Sequence, residues 1–277
     1  MMKKNREKIK GTNKIRSSYV QSIERALTIL EALSKEEKPL ELKELAKKVK
    51  LHKTTTHRIL KTLMERGYVE NIDSSGVYKL GLQVLKLSGS LLENIEVRRE
   101  AKLLLEELRG KSGETVHLGI LEDGEIVYIE KIEGTGPLHM ASGVGKRVPL
   151  YCTALGKAIL AYLEEKELNT LLKDIKLEPK TPNTITSIER LKEELIKIRA
   201  LGYSIDNIEN EEGIRCVGAP IFDSTGEVVA AISVSGAAFY LPIERIEKEL
   251  GPLIKATAVE ISKRLGWGYA RKEISIK

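Results

Sequence analysis

Along this chain of 277 residues, apolar positions recur at helical spacing in some stretches and alternate in others, which separates helices from strands. Val20, Ile23, Leu27, Leu30 and Leu33 lie on one stripe of an amphipathic helix. Pro39 interrupts, and Leu42, Leu45, Ala46 and Val49 mark a second, shorter helix. The turn Lys50-Leu51-His52-Lys53 then leads into TTTHRILKTLMERG. Helical rotation places Thr56, Ile59, Leu60 and Leu63 inward with Met64 at the margin. Thr54, Arg58, Lys61 and Glu65 face outward, flanked by Thr55, His57 and Thr62. Two short strands over 68–71 and 77–80 follow, joined by DSSG, where Gly76 is free to take positive φ. Helix, helix, short turn, helix and hairpin is the order of a winged helix-turn-helix, with the threonine-led helix in the recognition position.

Residues 82–95 are apolar on more than one face, through Leu82, Leu85 and Leu92 on one side and Val84, Leu87 and Leu91 on another. Such a helix must be covered on two sides, so it reads as a connector that also meets a partner subunit. A helix over 97–112 precedes a region that mixes strands and helices. ETVHLGIL and EIVYIEKI pair around the turn EDG, and LHMAS follows as a further extended stretch. Helices are expected near 154–163, 165–173 and 187–201, with the loop EPKTPNTIT between the last two. Strands resume at YSIDNIE, IRCVGAPIF and VVAAISVSG, and a final helix runs from about Pro242 to Leu265. The fold class is α+β, with an antiparallel sheet flanked by helices after the winged helix-turn-helix. The expected divisions are a disordered basic arm (1–18), a DNA-binding domain (19–80), a connector helix (81–95), a second domain (96–267) and a tail (268–277).

Charge sharpens this division. Of the formal net charge of +6, residues 1–80 hold 19 Lys and Arg against 10 Asp and Glu, and the remainder holds 27 against 30. The basic excess is wholly N-terminal, as a polyanion-binding head requires. On the outward face of the threonine-led helix, Thr54, Thr55, His57, Arg58 and Lys61 offer cations, hydroxyls and methyl groups suited to phosphates and base edges. A hydrophobic share of 42% and a charged share of 31% fit a soluble globular chain. No signal peptide is evident, and VVAAISVSGAAFYLPI is too short and interrupted to span a bilayer, so a cytoplasmic protein without membrane contact is expected. Cys152 and Cys216 are the only cysteines and give no disulfide framework.

Candidate chemistry lies in the second domain. In PLYCTALGKAIL, Thr153 is placed to cap a helix whose first residues, Ala154, Leu155 and Gly156, then offer backbone N–H groups to an anion. A capped helix that needs Gly156 for close packing explains the same residues. In VVAAISVSG, Ser233 and Ser235 share one strand face with Val229 and Ala231, which suggests either a polar pocket or the wet side of a sheet. Cys216 and Asp206 lie on the neighbouring strands. Helix-end amides, hydroxyls and a carboxylate suit a small hydroxy- or keto-acid better than a flat aromatic. The chain has no GxSxG, phosphate loop, HExxH or CxxC motif. No neighbour offers itself as a base for Cys216, so a small buried thiol is preferred to a nucleophile. Cys152, His139, His117 and Cys216 lack the spacing of a zinc site, so no metal and no cofactor are expected.

Taken in order, SIERALTILEAL, HKTTTHRILKTLMERGYVE, GKRVPLYCTALGKA, PKTPNTIT and GYSIDNIENEEGIRCVGAPIFDSTGEVVAAISVSG resemble the isocitrate lyase regulator (IclR) family over about residues 18–267. The resemblance implies a winged helix-turn-helix, a connector helix and a GAF/PAS-like effector domain. It implies homodimers or homotetramers on palindromic double-stranded operators, mostly repressing catabolic genes, with some members activating. By position it places effector binding on Ala154, Leu155, Gly156, Asp206, Ile214, Cys216, Ser233 and Ser235, with Met140 as a wall residue. PLYCTALGKA also resembles the subgroup controlling sugar-acid and pectin breakdown in response to 2-keto-3-deoxygluconate. Two departures stand out: the LHK turn has no glycine, and Thr56 occupies a position where valine is usual. The expectation is a non-enzymatic repressor answering to a small carboxylic acid. The rivals are an activator, a cysteine-dependent enzyme built on Cys216 and an architectural DNA binder without a ligand.

Overall fold

The computed structural model describes residues 19–72, 75–136 and 140–268. It divides into two compact units, Met1–Leu91 and Leu92–Lys277. The expected basic arm (1–18), part of the DSSG turn (73–74) and all of the tail but Gly268 lie outside the described residues.

The N-terminal unit runs α1 (Gln21–Ser34), β1 (Leu40–Glu41), α2 (Leu42–Lys48), α3 (Lys53–Glu65), β2 (Val69–Asn71) and β3 (Val77–Leu80), and most of α4 (Leu82–Glu93) follows. The strands form an antiparallel sheet in the order β1-β3-β2. β1 has only two residues, too few for alternation to reveal it; Leu40 pairs with Tyr78 there. Ile29, Leu33, Leu45, Leu60, Leu63, Val69 and Tyr78 form the core. The turn before α3 places Lys50 at φ 54°, so a lysine takes the left-handed position that a glycine usually fills. Thr56 is fully buried, and its hydroxyl donates to the carbonyl of His52 at 3.1 Å, which satisfies a polar group in an apolar core. The α1 stripe departs from expectation. Ile29 and Leu33 face the core, whereas Val20, Ile23 and Leu27 are exposed. This helix is apolar on two sides, and α2, α3 and β3 cover the side bearing Ile29. α4 buries none of its residues and leaves Leu82, Leu85, Leu87 and Leu91 exposed.

The C-terminal unit opens with α5 (Glu96–Ser112), β4 (Thr115–Glu122), β5 (Glu125–Ile132) and β6 (Arg147–Val148). It continues with α6 (Ala154–Leu160), α7 (Glu165–Asp174), α8 (Ile188–Leu201), β7 (Ser204–Asn207), β8 (Ile214–Phe222) and β9 (Val228–Ala237). α9 (Ile243–Arg245) and α10 (Gly251–Arg264) close the chain. The six strands form one antiparallel sheet in the order β6-β5-β4-β9-β8-β7. One face, with Val116, Leu118, Val217, Ile232 and Val234, packs on α5 and α10 through Leu105, Leu108, Ile254 and Ile261. On the other face Ile126 and Ala231 meet Leu155, Ala158 and Ile159 of α6. Both faces being covered, β9 carries apolar residues on both and lacks the simple alternation of a half-wet strand.

Two expected elements differ. In LHMAS, residues 138 and 139 lie outside the described part, and Met140–Ser142 form no strand; the sixth strand is Arg147–Val148. The final helix is interrupted by a π-helical turn, Ile246–Leu250, immediately before Gly251-Pro252. Pro252 has no N–H to donate back into the preceding turn, so the regular α ladder cannot run through it. Phe222, at the end of β8, stacks on Trp267 with ring centroids 5.3 Å apart, and the edge of Tyr162 meets it at 5.1 Å.

Candidate functional site

On α3, Thr54, His57, Arg58 and Lys61 are exposed and Thr55 is half-buried, while Thr56, Leu60 and Leu63 turn inward. The first turn holds no acidic residue. The five candidate contacts therefore share the open side of the helix, with Thr54 and Thr55 in its first turn, at the positive end of its dipole.

The second site follows from strand register. Asp206 on β7 pairs with Cys216 on β8, which pairs with Ser235 on β9, which pairs with Thr115 on β4. One step along, Ser204, Gly218, Ser233, His117 and Lys131 form a parallel row from β7 to β5. Side chains two apart on a strand share a face, so these rows place small and polar groups together beneath α6. Gly218 makes room for this helix. A Cβ there would lie 2.9 Å from the carbonyl carbon and oxygen of Ala154. The Ser204 hydroxyl ties the same carbonyl down at 2.6 Å.

A cavity of about 60 Å³ lies over these rows. Met140, Ala154, Leu155, Asp206, Ile214, Cys216, Ser233 and Ser235 all line it. Gly156 does not, and its place among the binding residues is corrected. Its amide donates to the Thr153 hydroxyl at 3.1 Å, and a side chain there would fall on the backbone of Leu150. Thr153 is the N-cap as expected, so the glycine serves close packing rather than an anion.

Sequence reasoning missed His117 as a cavity residue, together with Tyr128, Ser142, Lys146, Asn210 and Glu211. His117 is 1% exposed. Its Nε2 lies 2.7 Å from the Ser142 hydroxyl, its Nδ1 lies 3.5 Å from Ser235, and its ring centroid is 4.7 Å from that of Tyr128. Burial, reinforced by the Lys131 charge, lowers its pKa to about 4, so the imidazole is neutral near pH 7. Burial raises Asp206 to about 7, against opposing hydrogen bonds from the Glu209 and Asn210 amides. Cys216 borders the cavity and is half-buried by surface area. Desolvation and then the Asp206 charge hold its thiol well above the ordinary value, so thiolate is scarce. Tyr128 is raised by burial as well.

The loop carrying Asn210 and Glu211 is held from outside the cavity. Lys157, fully buried, donates to the carbonyl of Ile205 at 2.6 Å and to Glu209 Oε1 at 2.5 Å. The PKTPNTIT block supplies three more bonds. The Thr181 hydroxyl donates to the carbonyl of Ile208, the Thr184 hydroxyl to that of Glu209, both at 2.6 Å, and the Asn183 amide to that of Asn207 at 3.0 Å. Ile208 at φ 60° is in the left-handed region, strain for a β-branched residue that these bonds offset. Among the described residues, no group of three or more His, Cys, Asp or Glu is arranged to hold a metal ion, and His139 lies outside them.

A winged helix-turn-helix with an open cationic helix, joined to a sheet domain with a small polar cavity, defines the class of ligand-responsive DNA-binding regulators. The family model for the IclR helix-turn-helix domain matches residues 22–73, and that for the bacterial transcriptional regulator IclR C-terminal domain matches residues 89–263. The chain belongs to the IclR family of transcriptional regulators. It is 40% identical to the HTH-type transcriptional regulator XynR of Escherichia coli K12 over 78% of this chain and 86% of that one. It is 37% identical to KdgR of the same organism over 90% and 94%. The crystal structure of Thermotoga maritima IclR superposes with a TM-score of 0.77 at 40% identity, covering 90% of this chain and all of that one.

Proposed function

We propose that this regulator is a repressor whose operator binding changes when a small hydroxy- or keto-acid occupies the C-terminal cavity. The observation that carries the reading is the in-register row of Asp206, Cys216 and Ser235, with Ser233 one step along, all lining one cavity. Hydroxyl groups there donate and accept, and Asp206 accepts hydrogen bonds from ligand hydroxyls. Residues 19–80 bind double-stranded operator DNA through Thr54, Thr55, His57, Arg58 and Lys61, and residues 96–267 receive the effector. The subgroup resemblance makes 2-keto-3-deoxygluconate the first acid to try. Catalysis has no part in this reading, because the raised Cys216 thiol is a poor nucleophile.

The chain acts as a homodimer or homotetramer on a palindromic site. The uncovered apolar residues of α1 and α4 support self-association, since exposed apolar surface of this kind marks interaction sites. It works in the cytoplasm, in keeping with described helices none of which is long and apolar enough to cross a membrane.

A thermal-shift screen with sugar acids and small keto-acids tests the effector class, because a ligand specific to the native state raises the apparent Tm by mass action. In the Ser233→Ala/Ser235→Ala double variant, operator release should need a clearly higher concentration of the same acid. A wild-type dose response in that variant would place the effector elsewhere.

A further inference from the structure

Three side chains of the PKTPNTIT segment bond three successive carbonyls where β7 ends, yet none of the three lines the cavity. The buried Thr184 hydroxyl is their hub. It donates to the Glu209 carbonyl at 2.6 Å and accepts from the Lys180 and Thr181 amides at 3.0 and 2.9 Å. Glu209 is thereby held at its carbonyl by Thr184 and at its carboxylate by Lys157. Its amide in turn donates to Asp206 Oδ1 at 2.7 Å, and the Asn210 amide bonds the same carboxyl. Thr184, Lys157 and Glu209 all stand behind the cavity wall, whereas Asp206 and Asn210 belong to it.

This arrangement does little for net stability. An interior pairing of Lys157 with Glu209 mainly offsets the cost of desolvating both charges, and Glu209 Oε2 is left buried without a partner among the described residues. Ile208 at φ 60° adds backbone strain to the same turn. What the turn achieves is placement, since it aims two amides at one carboxyl. We propose that Thr184 is a positioning residue for the effector cavity, which with Lys157 as its counterhold acts through Glu209 to fix the direction in which Asp206 presents its carboxyl to a ligand. Thr184 itself touches no ligand. Without its hydroxyl the Glu209 carbonyl swings free, the amide drifts from Asp206, and the carboxyl turns out of line with the ligand's hydroxyls.

This inference rests on the proposed reading that the cavity takes a small hydroxy- or keto-acid beside Asp206, and its test on the full-length protein has one arm that needs no ligand. The Tm gap between Asp206→Asn and wild type should grow with pH and level off above about 7, the midpoint of the folded carboxyl. Thr184→Val keeps the shape and removes the hydroxyl. The carboxyl then loses amide bonds that favour its ionised form, so in this background the gap should level off at least about half a pH unit higher. Thr184→Ser should restore the wild-type profile. The second arm is calorimetric titration with 2-keto-3-deoxygluconate, pyruvate and glyoxylate. The acid that binds wild type should bind Thr184→Val at least about fivefold more weakly, yet Thr184→Val should add nothing to the loss already made by Asp206→Asn. If Thr184→Val does not fold, Asn183→Ala, which cuts the exposed bond to the Asn207 carbonyl, carries the same expectations. An unmoved pH profile, or equal losses in both backgrounds, would overturn the positioning role and leave the effector reading standing. No binding of any acid by wild type would overturn the effector reading, with the first arm still deciding the link from Thr184 to Asp206.

Discussion

Asp206 and His117 border the same cavity, and their burial acts on protons in opposite directions. The folded chain raises Asp206 from 3.8 to about 7, so the native state holds that proton more tightly than the unfolded chain. Stability from this group is fully present below about pH 4 and is lost as pH rises to about 7. His117 falls from 6.5 to about 4, so the unfolded chain binds the proton first, and stability is lost as pH falls from about 6.5 to 4. Asp206→Asn, which keeps an oxygen for the Glu209 amide, should therefore raise the Tm at pH 8. The gain is on the order of 2 kcal/mol, or roughly 4–8 °C, and shrinks at pH 5. His117→Gln should show the opposite trend, its deficit against wild type narrowing as pH drops from about 6.5 to 4. Tm-against-pH curves that run parallel for either variant and wild type would contradict a protonated Asp206 and a neutral His117. At this scale the sequence was legible where a residue broke its own strand. Ser233 and Ser235 stand out in VVAAISVSG, but His117 sits in TVHLGILE as one more buried residue. Only the pairing of His117 with Ser233 brings it to the cavity, and pairing is not written in either strand alone.

Among elements, α6 shows how packing rather than chemistry decided the small residues of TALGKA. The helix seats its first turn on the sheet at Gly218 and turns back against Leu150 at Gly156. Any side chain at Gly156 meets backbone, which cannot move aside as a flexible side chain does. Gly156→Ala should cost about 3 kcal/mol or more, seen as a Tm lowered by roughly 6–12 °C with the loss of effector binding. A stable variant with normal ligand response would refute the close-packing account. The helices were legible from their apolar period, as in α3 and α5, and α6 from its Thr153 cap. The misread stripe of α1 has a physical cause, because a helix apolar on two sides does not announce which side the core will take. The two-residue strands β1 and β6 were illegible for a simpler reason, since neither spans one full alternation.

Across the whole molecule, the segregation of charge sets how the protein meets DNA. A head with 19 basic against 10 acidic residues is drawn to phosphates in general, and in the proposed reading specificity falls to the open face of α3. Operator affinity should fall steeply with added salt. Arg58→Ala should weaken operator binding by about 1–3 kcal/mol at fixed salt. If the loss is the same on unrelated sequences, Arg58 contacts phosphate; if affinity is unchanged, it lies outside the interface. The molecule also carries its own optical label. Its one tryptophan, Trp267, is stacked on Phe222, the last residue of the strand that bears Cys216 and Gly218. Excited at the red edge of its absorption, where tyrosine and nucleic acid are dark, it emits from the C-terminal unit alone. A ligand that shifts β8 would change the quenching by that stacked ring, so occupancy of the cavity can be followed without a dye while the operator is bound.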